Sequence, residues 1–193
     1  FDEPVLTEVV FTKGKTRSFM CAALSEKKDP TEELRFATAL LQEIMDFMRE
    51  KELISVLHVC RGNWSKNEGI LLSGSYTPLV PLFSAVLPSV LALEYSTKRA
   101  GDLGSLLENE RIREHCILGL GVINPRIDNV ETRESIVRRA KEALQYLPKE
   151  RLWLNPDCGF ATFANRPVNV LPCIEKKLQE LHLAQEYLRK ERG

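Results

Sequence analysis

Leu152-Trp153-Leu154-Asn155-Pro156-Asp157-Cys158-Gly159-Phe160 is the stretch on which the fold turns. Residues 152–154 read as the end of a buried strand. Pro156 has no N–H for a sheet ladder and pushes Asn155 into an extended conformation, so the strand stops here. Gly159 is expected to permit a sharp turn after it. Cys158 then stands at the mouth of a sheet, on a stiff turn, where a metal ligand or a nucleophile is useful. Most free cysteines are instead small buried hydrophobes, so the surrounding chain has to decide between the two readings.

Moving outward, apolar strand-like runs recur. Residues 116–123 form one, stopped by Pro125. Residues 90–93 form another and end in Glu94, and residues 53–59 lead into His58-Val59-Cys60-Arg61-Gly62. Residues 1–10 read as a strand end and an extended loop cut by Pro4, and residues 11–28 as a basic loop, with 12–28 the only candidate linker. Helices fall between the strands. Asp29-Pro30 supplies an N-cap and a first-turn proline, and Leu34, Ala37, Leu41, Ile44 and Met48 give one apolar face as far as about Lys51. A helix over residues 76–90 should start at Pro78 and end at Pro88, and residues 100–110 read as loop plus a short helix. A helix over 131–147 should bury Ile136, Ala140, Ala143, Leu144 and Leu147. A last one, over about 169–190, should bury Leu171, Ile174, Leu178, Leu181 and Leu188.

Strands that are apolar throughout, alternating with helices, predict an α/β fold with a parallel sheet covered on both faces. Strand ends recur at roughly one βα unit, the spacing of a (β/α)8 TIM-type barrel. A whole barrel takes about 250 residues and eight strands. Here 193 residues show about half that number, so residues 1–193 read as the C-terminal half of a barrel, in one piece.

Composition narrows the function. Lys+Arg and Asp+Glu both count 27, so the net charge is zero and nothing asks for nucleic acid or an anionic membrane. No apolar run reaches the ~18 residues of a membrane helix. Five scattered cysteines, an odd number, predict a reducing cytoplasmic setting rather than a disulfide framework.

In a parallel barrel, functional groups project from the C-terminal strand ends. His58 and Cys60 sit two apart, so both side chains point the same way. Glu94 and Cys158 end later strands and should face the same mouth. One imidazole, two thiols and one carboxylate suit zinc. The blander alternatives are a rim salt bridge for Glu94 and a hydrogen-bonded core position for His58. Gly119-Leu120-Gly121 lacks the third glycine of a dinucleotide fingerprint and reads as close packing. Cys21, Cys116 and Cys173 read as structural, and Trp64 as pocket lining or packing. Arg99 and Arg126 are candidates to clasp a substrate carboxylate, with rim salt bridges as the alternative. Lys176, Lys177, Glu180 and Glu186 read as a solvated helix face.

These residues carry a family resemblance. His58-Val59-Cys60, Glu94 and Asn155-Pro156-Asp157-Cys158-Gly159 resemble the zinc-ligand segments of the cobalamin-independent methionine synthase catalytic domain. The resemblance implies a zinc-dependent thiol S-methyltransferase, with His58, Cys60, Glu94 and Cys158 as zinc ligands. It implies a small thiol substrate, homocysteine, and a methyl donor such as methyl-folate. Asp2, in Asp2-Glu3-Pro4, matches the aspartate that contacts the homocysteine amino group and is the catalytic candidate. Ser96 and Arg126 are further substrate-binding candidates. The segments Arg61-Gly62-Asn63-Trp64 and Tyr95-Ser96-Thr97-Lys98-Arg99-Ala100-Gly101 resemble shorter, single-barrel relatives, some of which alkylate a coenzyme M-like thiol. No histidine lies between His115 and His182, where the long synthases carry a catalytic one. The chain opens inside a motif, at Phe1-Asp2-Glu3, so a longer polypeptide supplying the first strands and much of the donor pocket is expected. Two other readings stay open: a zinc-binding fragment that cannot hold both substrates, and a Cys-His hydrolase using Cys60 or Cys158. An oligomer is left open too.

Overall fold

The computed structural model describes residues 1–11, 29–63, 65–163 and 165–191. Five strands, β1 (Asp2–Glu3), β2 (Val56–Val59), β3 (Val90–Glu94), β4 (Ile117–Ile123) and β5 (Leu152–Pro156), form one sheet in the order β1-β2-β3-β4-β5. Every neighbouring pair is parallel. The helices are α1 (Leu6–Phe11), α2 (Pro30–Glu50), α3 (Val80–Val86), α4 (Gly104–Leu107), α5 (Glu110–His115), α6 (Arg133–Ala143) and α7 (Leu171–Lys190). A small antiparallel ribbon, β6 (Ala161–Phe163) with β7 (Arg166–Pro167), follows β5. Among the described residues no helix is long and apolar enough to cross a membrane.

The parallel α/β expectation holds, and its cause is visible in β2 to β4. Leu57, Val59, Leu91, Leu93, Leu118 and Leu120 are all buried and join Tyr76, Leu79, Phe83 and Ile112 in one core. His58 and Cys60 alternate with Leu57 and Val59, so they leave β2 on its other face. The two glycines of β4 are there for close packing. A Cβ on Gly119 would lie 2.9 Å from Asn155 Oδ1 and 3.1 Å from Ala92 Cα. One on Gly121 would lie 2.4 Å from Asp157 Oδ1 and 2.7 Å from the Leu93 carbonyl oxygen.

Four expectations need correction. After Pro4 the chain enters α1 instead of an extended loop. The Glu3 carboxylate accepts the Val5 N–H at 2.9 Å, capping the turn, and Leu6 and Thr7 are buried. β5 is not fully buried: it is an edge of the described sheet, and Trp153 is 47% exposed. α7 turns only part of the expected face inward, Leu181 packing against the core and Leu188 being buried. Lys177, Ala184 and Leu188 are buried, whereas Leu171 and Leu178 are exposed. Lastly, Lys177 does not belong to a solvated face. It is fully buried, its ammonium 2.7 Å from Glu131 Oε2, while Glu180 accepts the Arg133 N–H at 2.7 Å. A long lysine stem can be buried when its charged end finds a carboxylate.

The helix boundaries were closer. α2 starts where expected, with Asp29 Oδ1 accepting the Thr31 N–H at 2.8 Å. It buries Leu41 and Met45, packs Leu34, Ala37 and Met48 against the core as expected, and leaves Ile44 exposed. The reason is that α2 carries a second apolar row, Phe36, Leu40, Ile44 and Phe47, on its exposed side. Periodicity alone could not choose between the two rows. α5 was not expected; Asn109 caps it by accepting the Ile112 N–H at 3.2 Å. Asp29→Ala is expected to cost about 1 kcal/mol in urea unfolding, because it removes an N-cap acceptor. An unchanged midpoint would mean that the cap contributes nothing. The apolar part of residues 11–28, Trp64 and Cys21 lie outside the described residues, save Phe11, which ends α1.

Candidate metal centre

Parallel pairing brings four strand ends to one edge of the sheet. Asp2 is in register with His58, His58 with Ala92, and Glu94 with Gly121. Cys158 follows β5 by two residues. One ligating atom each from His58, Cys60, Glu94 and Cys158 lies within 4.8 Å of all the others. The two sulfurs are 3.9 Å apart. Two sulfurs bound at ~2.3 Å to one tetrahedral zinc ion would be about 3.8 Å apart.

Each side chain is aimed by a bond on its far side. His58 Nδ1 is 2.8 Å from the Ala92 carbonyl oxygen, which fixes that nitrogen as the N–H donor. His58 Nε2, buried and without a hydrogen-bond partner, is then the free lone pair. Glu94 is 2% exposed. Its Oε1 accepts the Arg61 N–H at 3.0 Å, and its buried Oε2 has no hydrogen-bond partner. The Gly62 N–H points at Cys60 Sγ from 3.3 Å. Two buried acceptor atoms that accept no hydrogen bond stand beside two sulfurs, Oε2 facing only the Arg99 and Arg126 guanidinium groups at 3.5 and 3.9 Å, and a cation-binding cage requires such atoms. The residues present therefore fit zinc.

The electrostatics agree with the geometry. The hydrogen bond with Cys158 and burial both push the Cys60 thiol far above its usual range, while that same hydrogen bond holds Cys158 low. Burial opposes charge on His58, but the neighbouring Cys60 sulfur and the Ala92 carbonyl raise it to about 9. Burial, and then the nearby Asp157 charge, push Glu94 up. Three of the four groups thus hold protons more tightly than usual, through burial at Glu94 and Cys60 and through close polar neighbours at His58 and Cys60. Protons and a metal ion compete for the same lone pairs.

The other sequence candidates fare differently. Asp2 is exposed, next to His58 across the β1–β2 pairing, and its charge favours protonated His58. Ser96 is half-buried, and its hydroxyl donates to Asp157 Oδ2. Arg126 is the correction: it was a candidate to clasp a substrate carboxylate, yet it is fully buried and spent on neighbours within the protein. Its Nε is 2.9 Å from Glu68 Oε1, and its Nη2 is 3.3 Å from Asp157 Oδ2. Arg99 pairs with Glu68 at 2.8 Å. Cys116 is buried, as a structural cysteine should be, and Cys173 Sγ lies 3.3 Å from the Asp128 carbonyl oxygen.

Sequence reading missed Asp157, Glu68, Asn63 and Arg61. Asp157 is 1% exposed and accepts the N–H groups of Tyr95 and Ser96 at 3.0 and 2.9 Å. Its place beside Cys158 was the available signal. Asn63 Nδ2 donates to the Gly159 carbonyl at 2.6 Å. The Arg61 guanidinium is buried over the Tyr76 ring at 4.0 Å and the Phe11 ring at 5.2 Å. Glu68, in a short turn of polar sequence, gave no signal. A cavity of about 550 Å³ between β5 and α7, lined by Lys149, Trp153, Leu154 and Leu188, shares none of the cage side chains.

Comparison with known proteins gives a consistent picture. Residues 19–170 match a family described as the catalytic domain of the cobalamin-independent synthase. A 5-methyltetrahydropteroyltriglutamate–homocysteine methyltransferase of Herpetosiphon aurantiacus is 37% identical over 83 residues, 42% of this chain and 11% of that protein. A methionine synthase of Pyrococcus horikoshii is 31% identical over 135 residues, 65% of this chain and 34% of that protein. The chain spans about a third or less of the length of these curated relatives. A B12-independent methionine synthase from a Shewanella species, solved with selenomethionine, superposes with a TM-score of 0.64 at 20% identity. The match covers 98% of this chain and 48% of that one, so the fold is about half of a TIM-type barrel.

Proposed function

The chain belongs to the cobalamin-independent synthase catalytic-domain family, and from that premise we propose that it carries the metal and thiol half of a zinc-dependent S-methyltransferase acting on homocysteine. The observation that carries this reading is the convergence of His58, Cys60, Glu94 and Cys158 within 4.8 Å, with Nε2 and Oε2 free of hydrogen bonds. A free thiol has a pKa near ~8.5 and is mostly protonated at neutral pH. Zinc in this cage would supply the deprotonation, turning a substrate thiol into a nucleophile at neutral pH.

The protein's own groups do the rest. Cys60, Cys158 and Glu94 together bring three negative charges when ionised, more than a divalent cation neutralises, which keeps a thiol held beside them electron-rich. The Ala92 carbonyl holds the His58 ring in one orientation. The Arg61 N–H fixes one carboxylate oxygen of Glu94 and leaves the other for the cage. Asp2, exposed at the rim, is placed to take the amino group of the substrate. Ser96, on the same rim, is the second polar contact for it. The methyl donor is a methylated folate. A cytoplasmic setting, where thiols stay reduced, suits a site built on free cysteines.

Metal analysis after reconstitution with zinc is expected to give about one ion per chain, held by two sulfurs in X-ray absorption. Adding homocysteine should introduce a further sulfur at the metal, and a strong chelator should remove both the ion and the thiol binding. A protein that retains no zinc, or that keeps its sulfur count when homocysteine is added, sinks the proposal.

A further inference from the structure

We infer that Arg126 is the positioning residue of this metal site, the one side chain that ties together the strand ends carrying its ligands. The inference rests on the reading of His58, Cys60, Glu94 and Cys158 as ligands.

Of the four strands β2 to β5, β4 alone brings no ligand to the cage. Arg126 is what its end brings instead. The guanidinium is fully buried and reaches in four directions. Nη2 lies 3.9 Å from Glu94 Oε2, the carboxylate oxygen that faces the cage. The same nitrogen is 3.3 Å from Asp157 Oδ2, one residue before Cys158. Nη1 is 3.4 Å from Asn63 Oδ1, three residues after Cys60. Nε is 2.9 Å from Glu68 Oε1.

These partners carry the connection onward. Asn63 donates to the Gly159 carbonyl, one residue after Cys158, so the β2 and β5 ends are joined on both sides of that cysteine. Asp157 receives the N–H groups of Tyr95 and Ser96, which follow Glu94 directly. Asn124 completes the anchor: it accepts the Arg126 N–H at 3.0 Å and donates to Glu68 Oε1 at 2.8 Å. The bonds through Asn63 and Asp157 set where the ligands' backbones stand relative to one another.

Only arginine can do this. A planar fork offers five donors in fixed directions, whereas a lysine ammonium is a single point on a flexible stem. The two charges of Arg126 and Arg99 also lie among three carboxylates, Glu68, Glu94 and Asp157. Without Arg126, Glu94 and Asp157 repel one another across the space it fills. Metal ligands held by such outer partners typically lose about 10–100-fold in metal affinity when the partner is removed.

The test compares zinc affinity, by competition with a chromogenic chelator, and the absorption spectrum of the cobalt-substituted protein. Arg126→Gln, Arg126→Lys and Glu68→Gln are measured beside Met45→Ala. Met45 is buried under α2, so its truncation destabilises the fold without touching the cage. Arg126→Lys is expected to bind zinc roughly 10–100-fold more weakly and to shift the cobalt bands, and Met45→Ala to do neither. If Arg126→Gln does not fold, the lysine variant and Glu68→Gln carry the comparison. Wild-type zinc affinity and wild-type cobalt bands in the folded Arg126 variants overturn the inference. Failure of the wild-type protein itself to bind zinc or cobalt would instead overturn the assignment of the four ligands.

Discussion

Cys158→Ala is expected to weaken zinc binding by more than the ~100-fold that loss of a supporting residue costs, and to abolish thiol binding at the proposed site. The sulfur it removes lies 3.9 Å from Cys60 Sγ and is one of four ligating atoms gathered within 4.8 Å. Three ligands would remain, one of them a Cys60 thiol that, by losing its neighbour, loses the group with which it shares a hydrogen bond. The fold should survive, since Cys158 is only half-buried and an alanine fits where it stands. Cys173→Ala is the control. Its sulfur sits against the Asp128 carbonyl at the start of α7, apart from the cage, and both zinc content and thiol binding should be those of the parent. Metal content, thiol binding and circular dichroism on the two variants decide the matter. Equal losses in both would mean that cysteine removal acts through the fold, and the metal assignment would go with it.

The second large effect is on stability. Gly121→Ala is expected to cost about 1–3 kcal/mol or more in urea unfolding, although it adds a single methyl group. That methyl would lie 2.4 Å from Asp157 Oδ1, 2.7 Å from the Leu93 carbonyl and 3.0 Å from Asp157 Cα. Two of these neighbours are backbone and cannot step aside by a rotamer change. Asp157 would be driven off the Tyr95 and Ser96 N–H groups, so zinc affinity should fall along with stability. Gly159→Ala provides the contrast. Nothing lies within 4 Å of the Cβ it would add, and Gly159 is not in the left-handed region, so its effect should stay within about 0.5 kcal/mol. A comparable cost at both positions would contradict the packing account.

That contrast also marks how far the sequence could be read. Gly159 was credited with a sharp turn that needs no glycine, while Gly119 and Gly121 were rightly read as close packing. The difference is that a parallel strand end is predictable from Pro156, whereas the backbone angles after it depend on what the turn packs against. His58, Cys60, Glu94 and Cys158 were legible because soft and borderline donors at strand ends are unusual, and parallel pairing must bring such ends together. Arg126 was misread because an arginine near a predicted mouth looks the same in sequence whether it faces a ligand or three internal carboxylates. Asp157 and Asn63 were hidden by their neighbours: each stands within three residues of a cysteine that drew the attention. On the helices, the apolar rows of α2 and α7 gave most of the inward face and misplaced Ile44, Leu171 and Leu178, which are exposed. α2 has two such rows, and on α7 the buried position belongs to Lys177, which no apolar pattern would select.

The wholly parallel sheet has a consequence for how the chain reaches its native state. Asp2 pairs with His58, and Cys60 meets Cys158 across 98 positions of sequence. Contacts this distant along the chain incur their loop-closure entropy before they return any stabilisation, which places such topologies among the slower folders. The cage therefore exists only after the β2 to β5 ends have come together, and an ion that recognises it acts on the finished product. By mass action, an ion present at 100 times its dissociation constant would add about 2.7 kcal/mol to the native side of the balance. Metal supply would then set the balance between folded and unfolded molecules as well as the occupancy of the cage.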